Sequence, residues 1–107
     1  MSTLAIDIGG TKFSLALFED GRMTRRESYA TDREQGREWM LRRIAEVLAE
    51  WKNLAGWKDL DRCGIGFGGP VDFQAQRVAL STHVGGWRNF DLPRYIRDLL
   101  GVPTAMD

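Results

Sequence analysis

Residues 4–12 read Leu4-Ala5-Ile6-Asp7-Ile8-Gly9-Gly10-Thr11-Lys12. A short apolar run ends in one acid, a glycine pair, a hydroxyl and a cation. A second apolar run, Phe13 to Phe18, follows at once. A strand that turns on two glycines brings bare backbone N–H groups close to whatever lies above the turn. Thr11 adds a hydroxyl donor and Lys12 a positive charge, so the loop suits an anion such as phosphate. Asp7 has the opposite chemistry and accepts a metal ion or the metal's waters. Together these residues suggest a Mg-nucleotide site. The same residues also spell an ordinary Gly-Gly hairpin turn between two strands.

The rest of the chain bears on that choice. At 107 residues it is long enough for one core and one domain. Fifteen basic and fifteen acidic residues cancel, which leaves no basic footprint for nucleic acid and no polybasic membrane surface. The densest basic stretch, Arg22 to Arg26, falls on a hairpin and reads as a solvated strand face. A single cysteine, Cys63, excludes an internal disulfide and a cysteine-based metal site, and its apolar strand setting predicts a buried, inert thiol. No apolar run approaches a membrane span, and the N-terminus lacks signal-peptide anatomy, so a cytoplasmic protein is expected.

Residues 3–8 and 13–18 read as buried strands, and Asp20-Gly21 is a hairpin signal leading into a more polar third strand over 22–30. Thr31 and Glu34 fit a capping box, with Thr31 as N-cap of a helix running to about Leu54. Met40, Ile44, Val47, Leu48 and Trp51 form its apolar stripe. Arg42 and Arg43 can each pair with Glu46 on its outer face. Trp39 and Trp57 read as packing anchors. Cys63 to Phe67 is a further strand, and Val78 to Leu80 a possible short one. Asp91 caps a second helix with Pro93 in its first turn, Gly101 ends it, and a last strand covers 102–106. The order is β-β-β-α-β-α-β: a three-strand antiparallel meander plus parallel strands reached by right-handed crossovers.

If the strands at 4–8, 63–67 and 102–106 are parallel neighbours, their carboxyl ends share one rim, where open α/β sheets bind ligands. Asp7 to Lys12, Gly66 to Pro70 and Asp107 all fall there. That convergence favours the phosphate loop over the plain hairpin. Gly64 to Gly69 also matches G-x-G-x-x-G, but Pro70-Val71-Asp72 follows where a dinucleotide fingerprint needs a helix. Gly68-Gly69 suits close backbone approach to a small ligand, or simply a tight turn into Pro70. His83 has no partners for a catalytic triad. Trp87 and Asn89 read as parts of a structured loop.

Four segments occur in register: Ile6 to Lys12, Gly64 to Asp72, Trp87 to Leu92 and Gly101 to Pro103. Together they resemble the N-terminal domain of the repressor/ORF/kinase (ROK) family of sugar kinases, within the actin/hexokinase superfamily. The resemblance covers essentially the whole chain. It implies an α/β, ribonuclease H-like (actin-like ATPase) domain, residues 1–107 being the small lobe of a two-lobed enzyme. By position, Asp7 would hold Mg²⁺ through its waters, and Gly9, Gly10, Thr11 and Lys12 would meet the phosphates of ATP. Gly68, Gly69 and Thr82 would lie along the sugar, a hexose or N-acetylhexosamine. The catalytic aspartate is expected just after Asp107, which matches the first position of the family's Glu/Asp-Asn-Asp motif.

The resemblance thus implies that the catalytic base is not among residues 1–107. The second lobe, with the adenosine pocket and a His/Cys zinc site, is likewise expected beyond them. ATP and a small sugar are the implied partners, and the chain alone is expected to be inactive. A sugar-sensing repressor of the same family carries a DNA-binding winged helix before this domain, and here the first strand begins within a few residues of Met1. A nonenzymatic nucleotide- or sugar-binding domain is the third reading, against which the intact Asp7 and Gly-Gly-Thr-Lys stand. Two helices cover only part of a sheet, so an open face of Ile, Val, Leu and Phe is expected to drive formation of a homo-oligomer.

Overall fold

The computed structural model describes residues 1–32, 34–68, 71–72, 77–78 and 90–106. Gly69, Thr82, His83, Trp87, Asn89 and Asp107 therefore lie outside the described residues. A mixed five-stranded sheet carries the fold. Strands β1 (Ser2–Ile8), β2 (Lys12–Glu19) and β3 (Arg22–Ala30) form the antiparallel meander. β4 (Leu60–Phe67) pairs parallel to β1, and β7 (Thr104–Met106) parallel to β4, giving the order β3-β2-β1-β4-β7. Between β4 and β7 lies a two-stranded ribbon, β5 (Val71–Asp72) with β6 (Arg77–Val78); β6 includes Val78 of the strand expected at 78–80, of which residues 79–80 lie outside the described residues. Asp20 and Gly21, at φ 51 and 83°, make the tight turn that their identities predict.

Period-two alternation decides what the sheet buries. Leu4, Ile6 and Ile8 of β1 align with Leu17, Leu15 and Phe13 of β2 and with Cys63, Ile65 and Phe67 of β4. All but Phe67 are buried, and Phe67 packs against the same core. Helices α1 (Gly36–Trp51) and α2 (Leu92–Leu100) lie on that face, through Met40, Ile44, Val47, Leu48 and Trp51 and through Leu92 and Ile96. Trp39 and Trp57 pack against this core as anticipated, Trp39 edge-on to Phe13 at 6.0 Å. A short 3-10 helix, Ala55–Asp59, leads into β4.

The other face of the sheet carries no helix among the described residues. It is not the apolar surface anticipated. The residues that alternate with the buried ones are Ala5, Asp7, Ser14, Ala16, Gly64, Gly66 and Ala105, small or polar, with Phe18 the one large apolar side chain among them in β2. Met1 and Met23 are the only large hydrophobic side chains exposed among the described residues. Apart from Phe18 and its cross-strand neighbour Met23, the apolar side chains expected to drive self-association are absent from the described residues of this face. β3, at the sheet edge, exposes Arg22 to Arg26 to solvent, as its composition implies.

The helix ends separate local from distant chemistry. Asp91 accepts a bond from the Arg94 N–H at 3.1 Å, and Gly101 closes α2 at φ 74°. The capping box at Thr31 does not form. Helix α1 starts five residues later, at Gly36, with no side-chain cap. The Thr31 hydroxyl is spent on Gly9, and Asp32 holds the next turn by accepting from the Glu34 N–H at 3.1 Å and the Gln35 amide at 2.9 Å. Gly36, at φ 73°, cannot extend a right-handed helix backwards. The helix ends at Trp51, three residues before Leu54. Neither Arg42 nor Arg43 pairs with Glu46; Arg43 sits over the Tyr29 ring, 4.5 Å from its centroid.

Candidate functional site

β1, β3, β4 and β7 run in the same direction, so their carboxyl ends share one rim. Ile8 gives way there to the β1–β2 loop, closed by the Gly9 N–H donating to the Lys12 carbonyl at 3.0 Å. A Cβ on Gly9 would stand 3.0 Å from that same oxygen, so a side chain there would crowd the turn. The loop after β4 touches the first one. The Gly68 N–H donates to the Ile8 carbonyl at 2.8 Å, and a Cβ on Gly68 would meet that oxygen at 3.2 Å and Gly9 Cα at 3.5 Å. Gly68 thus owes its identity to the close approach of two backbones.

Asp7 pairs with Gly66 across the β1–β4 ladder. A Cβ on Gly66 would lie 3.2 Å from Asp7 Oδ1, so glycine there leaves the carboxylate room. Asp7 is exposed, on the helix-free face, and alternation places Lys12 and Ser14 on the same face. Among the described residues no side chain or backbone group bonds the Asp7 carboxylate, and no carboxylate pairs with Lys12. An acid and a cation that leave each other unpaired, beside a glycine loop, fit a ligand carrying both charges: phosphate oxygens for Lys12 and a hydrated cation for Asp7. One carboxylate acting through water is an ordinary way to hold Mg²⁺ on a nucleotide. No cluster of three or more metal-binding side chains occurs among the described residues. A shallow hollow of about 500 Å³ extends from Asp7 over Ala5, Gly64, Gly66 and Ala105.

The structure brings together Asp7, Gly9, Gly10, Thr11, Lys12 and Gly68. The other two sugar-side residues, Gly69 and Thr82, lie outside the described residues. A residue not anticipated joins the site. Thr31, at the end of β3, donates its N–H to the Thr11 carbonyl at 2.9 Å and its hydroxyl to the Gly9 carbonyl at 3.1 Å. The signal that could have found it is strand length. β3 pairs with β2 up to Lys12–Ala30, which sets the next residue beside the loop. Cys63 plays no part: it is buried, and burial pushes its thiol up to about 12.

A five-stranded mixed sheet of this order, its parallel strands ending at a glycine loop, defines a ribonuclease H-like α/β domain. The chain belongs to the ROK family, whose model matches residues 3–107. It is 32% identical over 93 residues to a glucokinase of Thermotoga maritima, an alignment covering 86% of this chain and 28% of that protein. It is 45% identical over 51 residues to an N-acetylmannosamine kinase of Vibrio cholerae, covering 48% of this chain and 18% of that protein. A solved ROK family glucokinase from Streptomyces griseus, in complex with glucose and AMPPNP, superposes with a TM-score of 0.81 at 25% identity. That match covers 100% of this chain and 33% of the other. The chain thus spans a third or less of the length of these relatives.

Proposed function

We propose that residues 1–107 form the small lobe of a two-lobed, ATP-dependent sugar kinase that phosphorylates a hydroxyl of a hexose or N-acetylhexosamine in the cytoplasm. One observation carries the reading: unpaired Asp7 and Lys12 flank the glycine loop on one face of one sheet rim. The relatives, which include a glucokinase and an N-acetylmannosamine kinase, supply the substrate class.

In this reading the Lys12 ammonium and loop amides beyond Gly9, whose own N–H closes the turn on the Lys12 carbonyl, hold the phosphates of ATP. Phosphoryl transfer needs little covalent help from the protein, so positioning and charge compensation supply most of its catalysis. Mg²⁺, held through water at Asp7, would offset phosphate charge. Gly68, with Gly69 and Thr82, lies along the sugar and keeps its hydroxyl in line with the γ-phosphoryl group. The proton acceptor is the aspartate expected just after Asp107, so residues 1–107 bind without transferring.

The test is an NMR titration of the 107-residue chain with AMPPNP and Mg²⁺. Amide shifts centred on Asp7 and Gly9 to Lys12 support the reading. Shifts confined to the exposed Arg22–Arg26 strand, or none at millimolar ligand, refute it.

A further inference from the structure

We propose that the open face of β2 and β3 carries a second anion subsite, where Lys12, Ser14, Arg26 and Ser28 take an oxyanion of the phosphate class. The strand ladder sets its geometry. Ser14 of β2 pairs with Ser28 of β3, Lys12 with Ala30 and Ala16 with Arg26, so the four polar residues share the helix-free face. The Thr31 N–H donates to the Thr11 carbonyl, and alternation from there makes Ser14–Ser28 a pair without mutual backbone bonds. In such a pair the Cα atoms stand about 4.5 Å apart and the side chains come closest. The two hydroxyls are therefore side by side. Lys12 lies two residues from Ser14 toward the rim, and Arg26 two residues from Ser28 away from it, each about 7 Å along its strand. The long stems of Lys and Arg cover that distance from both sides.

The four groups are also unspent. Among the described residues no hydrogen bond or ion pair involves the side chain of Lys12, Ser14, Arg26 or Ser28. Their neighbours explain this. Ala30 stands opposite Lys12, and Ala16 opposite Arg26. Glu27, next to Arg26 in the chain, turns to the helix face, where Trp51, Tyr29 and Arg25 occupy its carboxylate. Among the described residues the carboxylate bordering the patch is Asp7, opposite Ser14 on the side away from Ser28. Two cations thus face one acid.

The donor set selects the ligand. Two hydroxyls, an ammonium and a guanidinium converge on one point from two strands. A phosphate has an oxygen for each, whereas a carboxylate has only two oxygens. The phosphate is either free or the end group of a ligand whose other phosphates lie on the glycine loop. Only the end-group form rests on the phosphate-loop reading of Gly9 to Lys12.

The experiment titrates the 107-residue chain with inorganic phosphate and, separately, with tripolyphosphate, followed by ¹⁵N NMR, beside Arg26→Ala, Ser28→Ala and Arg25→Ala. Arg25→Ala removes the same charge from the same strand but from its other face. Saturable shifts at Ser14, Arg26 and Ser28 are expected. Arg26→Ala and Ser28→Ala should each weaken binding by about fivefold, the scale of one net hydrogen bond. Arg25→Ala should change it by less than about twofold, the effect of a screened charge. Losses with both probes identify a free anion, and losses with tripolyphosphate alone identify the end group of a loop-bound ligand. Equal losses in Arg25→Ala and Arg26→Ala would reduce the patch to general charge attraction and overturn the subsite. Tripolyphosphate shifts confined to Gly9–Lys12 would also overturn it and leave the loop reading standing. Shifts at Ser14, Arg26 and Ser28 beside a silent loop would support the subsite and refute the loop reading.

Discussion

The bond between Trp51 and Glu27 offers the sharpest test of how α1 is fastened to the edge strand. Trp51 is 1% exposed, and its Nε1–H donates to Glu27 Oε2 at 2.6 Å. The other carboxylate oxygen accepts from the Tyr29 hydroxyl at 3.1 Å, and Arg25 stands 3.7 Å away. Trp51→Phe removes a hydrogen bond to a charged acceptor, about 1.5–3 kcal/mol. The smaller ring also leaves a void costing about 1 kcal/mol. The expected loss is about 2–4 kcal/mol, or a Tm fall of roughly 10–20 °C for a domain of this size. Glu27→Gln keeps an oxygen acceptor and removes the charge, at about 1 kcal/mol. The Trp51 bond, and then the Tyr29 bond, hold the Glu27 carboxyl below its ordinary value of 4.5, against desolvation, which acts the other way. A depressed native value means that the charged form stabilises the fold. That contribution is complete above the unfolded value and is lost as pH falls through the native one. Urea melts of the parent and Glu27→Gln should therefore differ by a constant amount from pH 7 to about 5, with the gap closing below about 4. A gap that persists unchanged to pH 3, or a Trp51→Phe cost under about 1 kcal/mol, would refute the reasoning.

Gly66→Ala places a Cβ 3.2 Å from Asp7 Oδ1 and should displace the carboxylate. Calorimetry should show Mg²⁺-dependent AMPPNP binding weakened severalfold and Mg²⁺-free pyrophosphate binding unchanged; equal loss of both would count against the metal role of Asp7. Gly101→Ala meets no neighbouring atom but forces alanine to φ 74°, so urea melts should show a cost of about 1–2 kcal/mol from backbone strain alone. A coupled assay of the 107-residue chain with ATP, Mg²⁺ and glucose or N-acetylmannosamine should stay at background. Turnover abolished by Asp7→Ala would show that a proton acceptor lies within residues 1–107 after all.

What was legible in the sequence was local or periodic. Asp20-Gly21, Asp91 and Gly101 act within a turn of themselves, and each does what its identity predicts. The crossover through α1 sets β4 parallel to β1 and the alternation sets which faces meet, and together they place the rim where Asp7, Gly9 to Lys12 and Gly68 meet. Thr31 was misread because a capping box is a local pattern, whereas its hydroxyl goes to a carbonyl 22 residues away. The helix-free face was misread from counting helices. Its character was written in the small residues Ala5, Gly64 and Gly66, which alternate with Leu4, Ile6 and Ile65.

Cys63 gives the molecule a clock. It is the chain's one thiol, at the centre of β4, 4% exposed and flanked by Leu4 in the neighbouring strand. An alkylating reagent attacks the thiolate, which a thiol pushed up to about 12 hardly forms at neutral pH. Labelling must then wait until β4 leaves the core and the thiol recovers its ordinary acidity in water. The rate at which a single adduct accumulates, read by mass, counts those openings directly in the native protein, with no denaturant and no engineered probe.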